Sequence, residues 1–367
     1  CSCTKSDGYG SVIALQTKTT FFELPPATII ENQTDGSQYI VYAFCPDFRC
    51  FNLKLNKNIT QNGFYIYGDE GETELAYLHF DNAKQAIFVN NNAKKVDIIG
   101  CTFSNCHPIN TPTAKDFIVQ IESVYTVLFT QNIFNSTKEE RRPTKALTIS
   151  NSGINLDFSY NQFINCDSFV NPDLGAPSIQ FVGTKLLSNQ PLCFRFNNNY
   201  LKNVGSQKIG VFSFDLKGND DEVEFRNNEI DECINQNSPT GNYGYTCEIK
   251  NMPPQRGFEF YNLTVRNCQV LARYGGSLGI WVTSKDNNPS QLIFTNCHFI
   301  NNNRKTEITG DQGGGGFQLG SGGNSYFKLL FDACVFINNS AYRGGGLSIS
   351  TRRPATIQHC IFRNNSC

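Results

Sequence analysis

The chain has 367 residues, of which 39% are hydrophobic and 13% aromatic. This composition favours a packed core and excludes a chain that is disordered throughout. The 31 Lys and Arg balance 32 Asp and Glu, so the net charge of −1 provides no overall field to attract nucleic acid or an anionic membrane. No apolar run reaches the roughly 18 residues of a transmembrane helix. We therefore expect neither a nucleic-acid partner nor a direct membrane span.

Residues 1–95 contain short alternating segments that predict β-strands. They lie at residues 11–16, 39–44, 63–68 and 86–90, with turn-forming residues between them. These segments do not follow the repeat that starts at residue 96. An atypical terminal segment is expected in a repeat protein, because the open end would otherwise expose its strand edges. We interpret residues 1–95 as an N-terminal cap that continues into irregular early coils.

Fifteen cysteines are many for a cytosolic protein, and the odd count leaves at least one thiol without a partner in this chain. The spacing of Cys45 and Cys50 suits a local disulfide. We expect Cys1 and Cys3 to fasten the N-terminus to a nearby segment.

A repeat is the strongest signal of the sequence. From residue 96 onward, two apolar residues in alternation are followed by Asn or Cys and then by a further apolar residue, often Phe, as in Phe158-x-x-Asn161-x-Phe163. The pattern occurs nine times, with 26 to 40 residues between successive Asn or Cys positions. Those positions are Cys101, Asn132, Asn161, Asn199, Asn228, Cys268, Cys297, Cys334 and Cys360.

A second element, Gly followed by alternating apolar residues, lies between the copies, as at 210–216 and 276–282. Alternation with a period of two indicates strands with one buried face. Three strands per repeat cannot bury that face alone, so consecutive coils must stack with parallel strands. The sequence thus predicts an all-β fold, a right-handed parallel β-helix over residues 96–367.

Stacking would align the Asn and Cys positions in a column. Neighbouring Asn side chains can bond through their amides, which satisfies buried groups that would otherwise destabilise the fold by about 1–3 kcal/mol each. The Cys positions are interpreted as small buried residues that replace Asn. The alternative is a thiolate metal site, but a straight column cannot supply a tetrahedral shell. We predict no metal and no cofactor.

Six N-x-[S/T] sequons mark candidate glycosylation sites. Strand alternation turns Asn135 outward, and Asn262 precedes an inward residue. Asn32 and Asn58 are expected to be exposed. Asn338 and Asn364 each follow an inward Phe by two positions, and residues two apart in a strand lie on the same face. We therefore expect these two Asn to point inward and have structural roles, unless the chain turns there.

Many parallel β-helices cleave acidic polysaccharides, so an enzyme must be considered. Hydrolysis requires a pair of suitably spaced carboxylates, and the candidates are Asp220-Asp221-Glu222 and Asp231-Glu232. Asn-Thr-Asp, Gly-His-Gly and Arg-Ile-Lys, the signatures of polygalacturonase-type enzymes, do not occur in the chain. We therefore predict no catalytic residues, with a polysaccharide lyase or hydrolase as the alternative.

The repeats resemble those of the polymorphic outer membrane protein family of chlamydiae and its eukaryotic relatives, which combine Phe-x-x-Asn with a Gly-Gly element. Gly-Gly occurs here at 275–276, 315–316 and 345–346. The Phe-x-x-Asn copies are Phe129–Asn132, Phe158–Asn161, Phe196–Asn199, Phe225–Asn228, Phe299–Asn302, Phe336–Asn339 and Phe362–Asn365. The resemblance implies a surface-exposed or secreted β-helix, often adhesive.

Together these observations predict a non-catalytic extracellular or cell-surface module with a structural or adhesive role. Cysteine and sequon content favour the secretory pathway. An intracellular scaffold with reduced thiols is a further alternative. The last coil has no cap, so we expect the polypeptide to continue beyond residue 367. The expected partners at that coil are further chain or other proteins, with surface glycans as another possible partner.

Overall fold

The structure is a computed structural model. It describes residues 13–16, 29–31, 39–56, 62–67, 70–83, 85–90, 93–106, 117–137, 146–152, 155–168, 179–183, 192–206, 209–216, 222–235, 245–250, 252, 257–270, 277–283, 290–304, 315–321, 327–350 and 354–367.

Three long sheets, numbered here in the order in which each coil visits them, contain most of the described strands. Sheet 1 has twelve strands: Ile13–Gln16, Tyr39–Phe44, Asn62–Tyr67, Ile87–Asn90, Val119–Glu122, Leu147–Ser152, Ile179–Gly183, Ile209–Asp215, Tyr245–Lys250, Leu278–Thr283, Phe317–Ser321 and Leu347–Ser350. Sheet 2 has eleven: Phe48–Phe51, Glu72–Ala76, Lys95–Ile99, Thr126–Thr130, Asn155–Ser159, Cys193–Asn197, Glu222–Arg226, Phe258–Tyr261, Ser290–Thr295, Phe327–Asp332 and Ala355–Gln358.

Sheet 3 has twelve strands of three residues each: Ile29–Glu31, Lys54–Asn56, His79–Asp81, Thr102–Ser104, Ile133–Asn135, Gln162–Ile164, Tyr200–Lys202, Glu229–Asp231, Thr264–Arg266, His298–Ile300, Val335–Ile337 and Ile361–Arg363. Two short ladders follow it in some coils: Asp167–Ser168 with Gly205–Ser206, and Ile234–Asn235 with Gln269–Val270 and Asn303–Arg304.

Each strand pairs in parallel with its counterpart one coil away, as Thr126–Thr130 does with Asn155–Ser159. The predicted right-handed parallel β-helix is confirmed. The part of the chain that the structure describes contains no helix, and hence none that could span a membrane. Regular pairing already includes strands before residue 96, since Tyr39–Phe44 pairs with Asn62–Tyr67 in sheet 1. The cap and irregular early coils were predicted over residues 1–95, and residues 1–12 of that range lie outside the described residues.

The interior of the rod is filled by aromatic side chains in register. On sheet 3, Phe134 lies between Phe103 and Phe163, with ring centroids 4.5 and 4.9 Å away. On sheet 2, Phe294 stacks 4.7 Å from Phe331. Strands about 4.8 Å apart bring equivalent rings to this spacing, so each coil buries its apolar face against the next one.

Two corners of the coil follow one rule. The first corner joins sheets 2 and 3, and the second corner follows sheet 3. At these corners, except the one after Ile133–Asn135, one residue of the described chain adopts a positive φ and the next residue points inward, as with Asn198 (φ 57°) before the buried Asn199. Most of the non-Gly residues with positive φ are Asn, which tolerates the left-handed region better than other side chains. The corners therefore account for much of the high Asn content.

One copy of the predicted repeat was placed in the wrong register. Phe225 pairs with Phe260, not with Val265, so the first-corner residue of that coil is Leu263. Cys268 lies five residues later, at the second corner. The two corners have the same local pattern of apolar and small residues, so Leu263 and Cys268 both fit the predicted repeat. The steps on either side of Leu263 are 35 and 34 residues, in place of 40 and 29.

Candidate functional site

The first-corner column contains the predicted Asn residues in four consecutive coils. Asn132, Asn161, Asn199 and Asn228 are each at most 2% exposed. The Oδ1 of Asn161 accepts hydrogen bonds from the backbone N (3.0 Å) and Nδ2 (3.1 Å) of Asn132, and its Nδ2 donates to the carbonyl oxygen of Phe129 (2.9 Å). Asn161 and Asn199 bond in the same way. This ladder satisfies backbone groups that the turn removes from the sheets.

Cysteine takes the same position elsewhere in the column. The structure places Cys101 before the Asn ladder, and Cys297, Cys334 and Cys360 after Leu263. The thiol of Cys297 donates to the carbonyl oxygen of Phe260 at 3.3 Å, which is the bond that the Asn amide makes in other coils. Burial raises the pKa of Cys101 to about 12. A buried, protonated thiol thus donates the hydrogen bond to the preceding coil that the Asn amide donates elsewhere.

A second Asn ladder lies at the second corner and was not predicted. Asn302 Oδ1 accepts from the backbone N of Cys268 (3.0 Å), and Asn339 Oδ1 accepts from the backbone N (3.1 Å) and Nδ2 (3.0 Å) of Asn302. Asn365 continues the ladder. The last three Phe-x-x-Asn copies belong to this corner, and the first four belong to the first corner. The motif therefore indicates a corner but does not distinguish the first corner from the second.

The Gly-Gly element lies against this second ladder. A Cβ atom on Gly316 would stand 2.6 Å from the carbonyl oxygen of Gly346 and 3.1 Å from the side-chain amide of Asn339. Gly346 has the same relation to Asn365, with a Cβ position 3.1 Å from that amide carbon. Gly-Gly and Phe-x-x-Asn therefore occur together because the sheet 1 strand starts directly over the inward Asn.

The predicted disulfide between Cys45 and Cys50 was wrong. Both are buried free thiols. The chain bends after Cys45, and Cys50 lies within the sheet 2 strand that follows, so each thiol enters the core at a different place. Burial, with a smaller contribution from Asp47, raises the pKa of Cys45 to about 11. Cys1 and Cys3 lie outside the described residues.

Two of the sequons, at Asn338 and Asn364, occupy different positions from those that alternation predicts, whereas Asn135 lies between the buried Phe134 and Ser136 as predicted. Asn338 and Asn364 lie at second corners, with φ of 55° and 53°, and are exposed, because the turn interrupts the alternation of the strand. Asn135 is half-buried at the end of its sheet 3 strand. Asn262 lies at a first corner, where its Nδ2 donates to Asn227 Oδ1 (2.9 Å). Asn32 and Asn58 lie outside the described residues.

Two of the carboxylates considered for hydrolysis, Asp231 and Glu232, are engaged in ion pairs. Glu222 begins the sheet 2 strand Glu222–Arg226. Asp231 is 5% exposed. Its two oxygens accept from Arg266 (3.1 Å) and from Asn267 Nδ2 (2.9 Å). Glu232 pairs with Lys202 at 3.3 Å. Asp220 and Asp221 lie outside the described residues.

The last described coil continues the interior columns of sheets 2 and 3. Ile357 continues the column of Phe331, and Phe362 continues that of Phe336. Phe331 and Phe336 are both 0% exposed, whereas Ile357 and Phe362 are 46% and 49% exposed. The difference arises because the last strand of each long sheet has a described neighbour on one side only.

Among the described residues, no group of three or more His, Cys, Asp or Glu is placed to hold a metal ion. No protein-family model matches the chain, and searches of curated proteins and of solved structures likewise found no match.

Proposed function

We propose that the chain is a non-catalytic extracellular or cell-surface β-helix module with a structural or adhesive role. One observation carries the proposal: the described coils stack through three long parallel sheets into a rod whose interior is filled by buried side chains. Such a rod can act as a spacer, and its corner loops offer a contact surface.

The sides of the rod support the same proposal. Carboxylates there are paired with basic groups, as in Arg266–Glu229 at 2.6 Å and Arg49–Glu74 at 3.5 Å. Such a surface is solvated and gives the rod the properties of a spacer. The resemblance to the chlamydial outer-membrane repeats belongs to this proposal as well. Its two motifs have a geometric explanation at the second corner, and its adhesive function is what we infer by analogy.

The extracellular location is testable at the sequons. We expect N-linked glycans at Asn135 and Asn338 in protein from the native source, measured by mass spectrometry of glycopeptides. The Nδ2 of Asn338 donates to Asn301 Oδ1 at 3.1 Å. A glycan replaces only one of the two amide hydrogens, so this bond can persist. Unmodified Asn135, Asn262 and Asn338, together with fully reduced thiols, would instead favour the intracellular scaffold.

Turnover of uronate polymers by the purified chain, followed as reducing sugar or unsaturated product, would support the lyase or hydrolase alternative instead.

A further inference from the structure

The outer face of sheet 1 carries a column of aromatic rings in the early coils. Tyr42, Tyr65 and Phe88 are register partners in consecutive strands, with ring centroids 5.1 and 5.0 Å apart. The column ends at Phe88, because Gln120 takes the same position in the following coil. These rings lie on the opposite side of the strands from the packed interior, so the aromatic core of the rod does not account for them.

Tyr65 contacts two tyrosines of the preceding strand in two different geometries. Its ring centroid lies 5.0 Å from that of Tyr39 at an interplanar angle of 60°, so the edge of one ring faces the other ring. Tyr42 lies at 5.1 Å with an angle of 12°, which is a stacked arrangement. All three side chains are half-buried. A small oxidant in solution can therefore reach these phenols.

The backbone distinguishes the two pairs further. Tyr42 is the direct register partner of Tyr65, so their Cα atoms lie one strand spacing apart, about 4.8 Å. Tyr39 pairs with Asn62, which precedes Tyr65 by three residues, or about 10 Å along the strand. A bond between the ortho carbons of two tyrosines holds their Cβ atoms further apart than one strand spacing, because each Cβ projects away from the joined ring edges. Tyr39 and Tyr65 meet this requirement, and Tyr42 and Tyr65 do not.

We propose that Tyr39 and Tyr65 form a modification site, at which hydrogen peroxide and a haem peroxidase join the two rings as dityrosine. Each phenol loses one electron and one proton and becomes a phenoxyl radical. The two radicals form a carbon–carbon bond between ring positions ortho to the oxygens, and the two displaced ring hydrogens restore the phenols. The protein loses two hydrogen atoms in total, and hydrogen peroxide is reduced to two water molecules.

Proximity favours this coupling over other fates of the radicals. A phenoxyl radical on either ring finds the other ring at contact distance. For well-oriented groups this corresponds to an effective concentration on the order of 10⁵ M or more. Coupling between separate chains depends instead on the protein concentration. In dilute protein, the bond within the chain is therefore the expected product.

The bond would join two neighbouring coils covalently, through the sheet 1 strands Tyr39–Phe44 and Asn62–Tyr67. Closing the segment between them restricts the unfolded chain more than the folded one. We expect slower amide hydrogen exchange in both strands after oxidation. The inference goes beyond the proposed function, because the coupling requires only two phenols and an oxidant, and not an extracellular location.

The test treats the 367-residue chain, at low concentration, with a haem peroxidase and hydrogen peroxide. The intact mass of the monomer should fall by two hydrogen atoms, and dityrosine fluorescence should appear. Peptide mapping with fragmentation should place the bond between Tyr39 and Tyr65. Tyr39→Phe should reduce the fluorescence of the monomer at least about tenfold. Tyr42→Phe is the matched control, since it removes a hydroxyl from the same cluster, and should retain the cross-link.

Four results would each overturn the inference. They are a bond between Tyr42 and Tyr65, cross-links between separate chains only, equal yields from Tyr39→Phe and Tyr42→Phe, and phenols that couple only after the chain is denatured. Phenylalanine keeps an aromatic ring at both positions, and circular dichroism establishes that each variant keeps its β-structure. Neither glycosylation nor location enters this experiment, so its outcome is separate from that of the glycopeptide measurement.

Discussion

Asn161→Ala should lower the free energy of unfolding by about 3–5 kcal/mol. The substitution removes an acceptor from the backbone N and Nδ2 of Asn132 and a donor from the carbonyl oxygen of Phe129. All of these groups are buried, and each one left without a partner destabilises the fold by about 1–3 kcal/mol. Equilibrium unfolding in urea measures the change.

Two variants make this prediction specific. Asn155→Ala, at an exposed position in the same coil, should change stability by no more than about 0.5 kcal/mol. Asn161→Cys should fall between the two, because a thiol can donate to Phe129 as Cys297 does to Phe260. Equal stability of Asn161→Ala and Asn155→Ala would show that the ladder does not stabilise the rod.

A stacked rod can unfold in parts, so the site of the loss must also be measured. Hydrogen exchange should accelerate first in the strands that flank the altered corner, Asn155–Ser159 and Gln162–Ile164. Sheet 1 strands near residue 317 should be affected least. Uniform acceleration along the rod would instead indicate a single cooperative unit.

Phe134→Ala should destabilise the fold by about 3–5 kcal/mol because it opens a cavity in the stacked column. Phe134 is 0% exposed and lies between Phe103 and Phe163, at 4.5 and 4.9 Å. Neighbouring coils are held by main-chain pairing and cannot collapse into the gap. The shift of the denaturation midpoint in urea, at an unchanged slope, gives the loss in the free energy of unfolding.

Phe134→Leu is the matched comparison, since Leu201 occupies the same column two coils later. It should lose no more than about 1.5 kcal/mol. Tyr342→Ala, at a side chain that is 63% exposed, should be nearly neutral. A loss for Phe134→Leu as large as that for Phe134→Ala would mean that ring stacking, and not cavity volume, dominates the column.

The thiols vary in character although the sequence presents them alike. Burial raises the pKa of Cys106 to about 12, so it is protonated at neutral pH and unreactive. Cys334 differs, because hydrogen bonds from Cys297 lower its pKa although burial opposes the shift. Position within the column, which no local motif records, decides the surroundings of each thiol.

The local pattern was sufficient for the fold. Alternating apolar residues at coil spacing can bury their faces only by stacking, and the structure has the three parallel sheets that this requires. The early coils were harder to recognise, since Leu53 and Leu78 stand at the first corner, where later coils have Asn or Cys. There the alternation of the strands was the only remaining signal.

The sequence by itself determined that three strands alternate with turns in each coil, and that Phe and small polar residues recur inside. Only the tertiary structure decided which corner each motif occupies. Cys268 and Leu263 both fit the pattern, because each corner combines a left-handed residue with an inward one, and pairing of Phe225 with Phe260 resolved the choice. The same left-handed turn interrupts the strand at Asn338 and Asn364, so both are exposed, whereas strand alternation had predicted that they point inward.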